Sequence, residues 1–286
     1  VEHYLARFDQ AFAGKGIAGK GVVGGLRGFF NDSYEVDDAR GQSNFTPEFF
    51  AEFQKRRGYD LRDHLPALFG QDNDKDADGR VICDYRETIA DLLLDNFTTP
   101  WHDWAKAKGA IIRNQSHGSP ANILDLYGAI DIPETEGRDI LVFKSASSAA
   151  HVTGKPLASS ESATWLNDHF LSSLGNVKQA IDRYLLGGVN HIFYHGVSYS
   201  PKDAPWPGWL FYAAVHFVPD NPFWNDFSTL NHYIARCQSF LHQGKPNNDV
   251  LVYYPLFDSF SEPARGGADL LKHYASVMAG LNGSGF

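Results

Sequence analysis

The 286-residue chain carries 34 acidic against 25 basic side chains, a formal net charge of −9, and is 43% hydrophobic. That length can bury a large core in one α/β domain or two smaller ones. The charge, with no long basic run against it, argues against a nucleic-acid partner. No apolar run reaches the roughly 18 residues of a membrane span, and Cys83 and Cys237 form no metal or redox spacing. Aromatic residues reach 14%. They serve either ordinary core packing or a cleft whose rings stack on sugar faces.

Val1 to Ala13 predicts a helix with Tyr4, Leu5, Phe8 and Phe12 on one face. The chain opens inside this pattern, as expected of a piece of a longer protein. After a glycine-rich stretch, Leu26 to Phe30 predicts a short buried strand. It runs into Asn31-Asp32-Ser33-Tyr34-Glu35-Val36-Asp37-Asp38, with four carboxylates in seven residues. A plain solvated loop rarely looks like this, so Asp32 and Glu35 are candidate functional acids. Thr46-Pro47-Glu48 predicts the start of a helix that ends near Arg57, before Gly58. Gln71 to Gly79 reads as a solvated acidic loop. It starts like a calcium loop, but the twelfth position from Asp74 is Tyr85 rather than Glu. Asp84 to Lys108 predicts a long helix broken near Pro100.

Ala110 to Arg113 predicts a strand, with Asn114, Gln115 and His117 just after it. Asn122 to Tyr127 predicts a short helix. Ala129 to Pro133 predicts a strand running into Glu134-Thr135-Glu136, with Asp131 beside them as a further candidate sugar contact. In extended chain Glu134 and Glu136 point to one side, and mutual repulsion can raise one of them into an acid. The alternative is a pair of exposed charges at a helix start. Pro156 to Ser160 predicts another strand, ending at Glu161 with Trp165 nearby. Glu161 is either a catalytic carboxylate or part of a helix cap. Asn167 to Leu186 predicts a helix closed by Gly187-Gly188. Val189 to Tyr194 predicts a strand ending at His195. A zinc pair from His191 and His195 lacks the helical spacing such sites use. His195 is the candidate for a sugar hydroxyl, and His191 reads as a core histidine. Leu210 to Phe217 and Phe227 to Gln243 predict helices, and Val250 to Tyr254 a final strand.

Alternating short apolar strands and helices predict a parallel sheet buried on both faces. Polar residues cluster just after the strands, as on the catalytic face of a (β/α)8 barrel. About six strands are expected, so the barrel is incomplete in this chain, and residues 1–286 are expected to be one catalytic domain of a larger enzyme. A doubly wound sheet is the alternative, but its phosphate fingerprint is missing.

Long segments closely resemble glycoside hydrolase family 106, the α-L-rhamnosidases. They are FFNDSYEVDDA (29–39), EFQKRRGYDLRDHLPAL (52–68), DYRETIADLLLDNF (84–97), RNQSHGSPANILDLYGAIDIPETE (113–136), SASSAAHVTGKPLASSESATWL (145–166), GVNHIFYHGVSYSP and WPGWLFYA within 188–213. The link from Glu136 to Ser145 is shorter than the family leads one to expect. The resemblance implies a (β/α)8 barrel within a multidomain enzyme, inverting removal of terminal α-L-rhamnose, help from calcium, and a periplasmic or extracellular setting. It carries over Glu35, Glu134 or Glu136, and Glu161 as acids, but no calcium ligands. Asp32, His117, Asp131, Trp165 and His195 are the expected sugar contacts. A retaining glycosidase and a non-catalytic carbohydrate-binding barrel are the rival expectations.

Overall fold

The computed structural model describes residues 1–12, 27–34, 45–69, 71, 74–164, 166–167 and 169–262. In chain order the described elements are helix α1 (Glu2–Phe12), strand β1 (Gly28–Asn31), helices α2 (Phe49–Arg57), α3 (Leu65–Leu68), α4 (Lys75–Leu93) and α5 (Thr99–Ala107), then β2 (Ile111–Gln115), α6 (Ile123–Gly128), β3 (Ile132–Thr135), α7 (Ile140–Val152), β4 (Ser159–Ser162), α8 (Leu174–Leu186), β5 (His191–Tyr194), α9 (Trp224–Gln243) and α10 (Leu256–Ser261). Every strand pairs with the next in parallel, in the order β1-β2-β3-β4-β5.

The sheet curls. A flat sheet would hold β2 and β5 about 14 Å apart, three strand spacings. Yet the Arg113 guanidinium of β2 lies 3.4 Å from the ring centre of Phe193 on β5 and 4.3 Å from that of Phe30 on β1. Five strands in sequential order, bent round a shared interior, make half of a barrel. The helices pack on the outside. Ile112 of β2 joins Trp101 and Ala105 of α5, Tyr127 of α6, and Ala146 and Ala149 of α7 in one core cluster. A second cluster sets Ile192 and Tyr194 of β5 against Val177 and Ile181 of α8 and Phe227, Leu230 and Ile234 of α9. Outside the barrel wall, α2 is tied to α4 and the turn after it. Arg57 pairs with Asp91 at 2.6 Å, and Arg56 with Asp95 at 2.8 Å.

Several expectations need correction. The stretch Val250 to Tyr254 is not a strand, so five strands rather than six are present among the described residues. Its apolar residues pair with no sheet edge; Leu251 is 93% exposed. Leu210 to Phe217 is not helical. Ala213 (φ 53°) and His216 (φ 73°) adopt left-handed backbone, which an α-helix cannot contain. The acidic stretch before Gly79 is a helix start. Asp74 accepts from the backbone N–H groups of Asp76 and Ala77, while Asp76 and Asp78 lie in the first turn near the positive end of the dipole. Pro100 does not end the helical run. It sits in the first turn of α5, where a missing N–H costs nothing, and a π-helical turn over Leu94–Thr98 absorbs the join. The link after Glu136 carries an unforeseen helix, α7, capped by Asp139.

Candidate active site

Period-two alternation and the strand register decide which side chains meet inside the curl. Phe30 is level with Arg113, Gln115 with Glu134, Glu134 with Ser159, Ser159 with His191, and Glu161 with Phe193. Arg113, Gln115, Glu134, Ser159, Glu161 and Phe193 therefore share the inner face, with Glu136, His117 and His195 continuing it past the C-terminal strand ends.

Glu134 lies deepest, at 1% exposure. Its Oε1 accepts from the Gln115 amide at 3.2 Å. Its Oε2 accepts from the Ser159 hydroxyl at 2.6 Å and faces Arg113 Nε at 3.1 Å. Burial pushes its carboxyl above the ordinary value, opposed by the Arg113 charge and the two hydrogen bonds; the neighbouring carboxylate that adds to the rise is Glu161, not Glu136.

One level higher, Glu161 accepts from the same Gln115 amide through Oε2 at 2.7 Å and from the Thr164 hydroxyl through Oε1 at 2.7 Å. The return of Thr164 to Glu161 depends on Ala163, a buried residue in left-handed backbone (φ 70°) that turns the chain sharply after β4. His195 Nε2 stands 3.9 Å from Glu161 Oε1. Behind the strands, the Tyr184 hydroxyl donates to the Gly137 carbonyl at 2.7 Å and lies 3.1 Å from that of Glu161, while Tyr127 donates to the Glu134 carbonyl at 2.8 Å.

Glu136, just past β3, faces His117 Nε2 at 3.1 Å across neighbouring strand ends. That contact holds its carboxyl below the usual value against the opposing effect of burial. The charge on His117, a hydrogen bond with Glu161 and the charge on His195 add to the lowering. Glu136 and Glu161 thus share one rim, Glu136 facing His117 and Glu161 facing His195.

Among the expected site residues, Glu134, Glu136, Glu161, His117 and His195 come together. Asp32 stands exposed at the C-terminal end of β1, where its carboxylate accepts from the backbone of Ser33. Glu35 and Trp165 lie outside the described residues. Asp131 is a correction: β3 runs between it and Glu136, placing it about 16 Å down the strand. There it accepts from the Ile112 backbone N–H at 2.8 Å and faces His102 at 3.6 Å, work that belongs to the far end of the sheet. Arg113, Gln115, Ser159 and Thr164 went unrecognised as part of the site. Their signal was available: Arg-Asn-Gln and Ser-Ser-Glu are polar stretches inside β2 and β4, two interior strands of the sheet. No three acidic, histidine or cysteine side chains converge as metal ligands among the described residues. The Glu136–Glu161 cluster mixes imidazoles with carboxylates, whereas calcium takes six to eight oxygens. These residues do not form a calcium cage.

A half-barrel that ends its parallel strands in hydrogen-bonded carboxyl groups, with imidazoles alongside, has the positioned acids that glycoside hydrolysis uses. Its class is that of the glycoside hydrolases. Residues 1–260 match the family described as alpha-L-rhamnosidase, glycoside hydrolase family 106, and the chain belongs to that family. The solved rhamnosidase from Novosphingobium sp. PP1Y superposes with a TM-score of 0.66 at 26% identity, over 92% of this chain and 26% of that one. A protein described as a putative beta-glucuronidase, from Formosa agariphila, is 31% identical over 229 residues, 78% of this chain and 19% of that protein. The chain spans well under half the length of either relative. No helix among the described residues is long and apolar enough to cross a membrane.

Proposed function

We propose that this chain supplies the catalytic half-barrel of an enzyme that removes terminal α-L-rhamnose from glycans or glycosides with inversion. The observation that carries the reading is Glu161: a strand-end carboxyl group fixed by Gln115 and Thr164, within 3.9 Å of His195, in a chain of this family. An inverting reaction needs a second carboxyl group roughly 6.5–9.5 Å away, leaving room for the attacking water. The partner in this reading is Glu35, which the sequence sets just beyond β1. One of the two protonates the leaving oxygen and the other draws a proton from water on the opposite face of the sugar. Glu136, His117 and His195 orient Glu161 and hold sugar hydroxyls, since charged and imidazole groups make strong hydrogen bonds to them. The proposal extends to a periplasmic or extracellular enzyme that calcium assists, with no step assigned to the ion.

The test uses the full-length protein and 4-nitrophenyl α-L-rhamnoside, with the matching β-D-glucuronide beside it. Release of nitrophenol from the rhamnoside alone supports the reading; release from the glucuronide alone overturns it. NMR of the first-formed sugar separates inversion from a retaining pathway. Activity that survives a calcium chelator removes calcium from the proposal. Binding of rhamnosides without turnover would leave a carbohydrate-binding barrel.

A further inference from the structure

Gln115 is 1% exposed, and its amide group stands between two carboxyl groups. Nε2 is 3.2 Å from Glu134 Oε1 and 2.7 Å from Glu161 Oε2. A side-chain amide has two N–H donors and no more, and both are committed here. The orientation of the amide, always assigned from its hydrogen bonds, has one sensible solution. Turned over, it would aim its oxygen at two carboxyl oxygens and leave its N–H groups where Oε1 now finds no partner. The carboxyl groups therefore set the amide, and the amide in turn sets their spacing.

Its anchor is unusually firm. Glu134 is fixed by Ser159 at 2.6 Å and Arg113 at 3.1 Å, and the Arg113 guanidinium is itself held between the Phe30 and Phe193 rings. The line Arg113, Glu134, Gln115, Glu161 thus crosses β2, β3 and β4. It ends on Glu161 Oε2 and leaves Oε1 facing His195 and Thr164.

We propose that Gln115 is a positioning residue for the reaction: it holds the Glu161 carboxyl group at a fixed rotamer by tying it to the buried Glu134. Glu134 on this account is the surplus acid of the site, an anchor that touches no substrate because each of its oxygens already has a protein donor. The inference rests on the proposed glycosidase function and deepens it. Misplacing a reacting group by about 1 Å can cost on the order of a hundredfold in rate, so the effect should fall on kcat rather than on substrate binding.

The experiment compares the full-length wild type with Gln115→Met, which keeps the shape but loses both donors, and with Gln115→Glu, which keeps the shape and replaces a donor by an acceptor. The rhamnose dissociation constant of each variant verifies that the pocket has folded. The expected result is a fall in kcat of about tenfold or more with KM within about threefold, and an acidic limb of kcat/KM that moves to higher pH in Gln115→Met because a carboxylate has lost a donor. A pH profile that stays in place in both variants, with kcat within about twofold of wild type, overturns the proposal. So does a loss confined to melting temperature and active fraction, since that marks Gln115 as packing only. A wild type that cleaves no glycoside sinks the functional reading and this inference together; an active wild type with indifferent variants sinks the inference alone.

Discussion

The Glu136 carboxylate and His117 Nε2 face each other at 3.1 Å across the ends of β3 and β2, on the same rim as Glu161. Neither residue lies within a strand; each continues one past its last ladder position. The contact makes the ionisation of Glu136 depend on a residue 19 positions away in sequence.

His117→Gln should release Glu136 from that hold. A carboxyl group whose folded value is lowered contributes stability that is present above the unfolded glutamate value of about 4.3 and lost as pH falls through the folded value. The variant should therefore lose less stability than wild type on acidification, and the acidic limb of its kcat/KM profile should move to higher pH. Denaturant unfolding and initial rates measured between about pH 3 and 7 check both effects. Overlaid profiles would refute the assignment.

Glu161→Gln and Glu35→Gln should each lower kcat by about a hundredfold or more, the range for losing a positioned acid or base. Near-normal turnover in either removes that residue from the pair. Glu136→Gln should do less harm to kcat than Glu161→Gln. Parity between those two would shift the catalytic role toward Glu136.

Arg113→Met should destabilise the fold by about 3 kcal/mol at neutral pH, the lower end of the range for stranding one partner of a buried pair, because Arg113 keeps some exposure. Burial already raises Glu134, so its charged state is the unfavourable one in the fold. Stability tied to a raised carboxyl group is complete below about pH 4.3 and is lost as pH rises through the folded value. The destabilisation by Arg113→Met should therefore shrink on acidification, as Glu134 takes up a proton. Unfolding free energies at pH 4 and 7 check this; equal losses at both would contradict it.

Ser173→Ala removes a reciprocal cap at the start of α8, where the Ser173 hydroxyl accepts from the Asn176 backbone N–H and Asn176 returns a bond. The expected cost is about 1 kcal/mol. Activity should hold, since α8 packs on the outer wall. A thermal melt and a rate assay together decide it.

The barrel character of the chain was legible in its sequence because parallel strands covered on both faces leave short apolar runs between amphipathic helices. The ends of the first four strands were read one or two residues early, however. Ile111 to Gln115 and Ser159 to Ser162 carry polar side chains inside the strand, on the inner face. A reader looking for apolar runs stops at Arg113 and at Ser160. That offset left Gln115 outside its strand, and Arg113 and Ser159, though inside theirs, were not read as facing the interior that their polarity marks. Asp131 was misplaced for the same reason: sequence proximity to Glu134 says nothing about which end of a strand a residue occupies. Leu210 to Phe217 has enough apolar residues for a helix, but it takes left-handed turns at Ala213 and His216, stacks His216 on Phe170, and gives its Ala214 carbonyl to the His169 backbone N–H. No local signal announces that.

The enclosure of Glu134 divides the site by ionic strength. At the inner contact dissolved ions reach only Arg113, 19% exposed, because Glu134 is 1% exposed, while both partners of the Glu136–His117 contact open on the rim, at 21% and 14%. Added salt shortens the reach of charge to about 3 Å at 1 M. It should weaken the rim pair, open on both sides, more than the inner one, whose carboxylate is enclosed. The protonation of Glu136 should therefore drift with the saltiness of the medium more than the Arg113–Glu134 scaffold loosens.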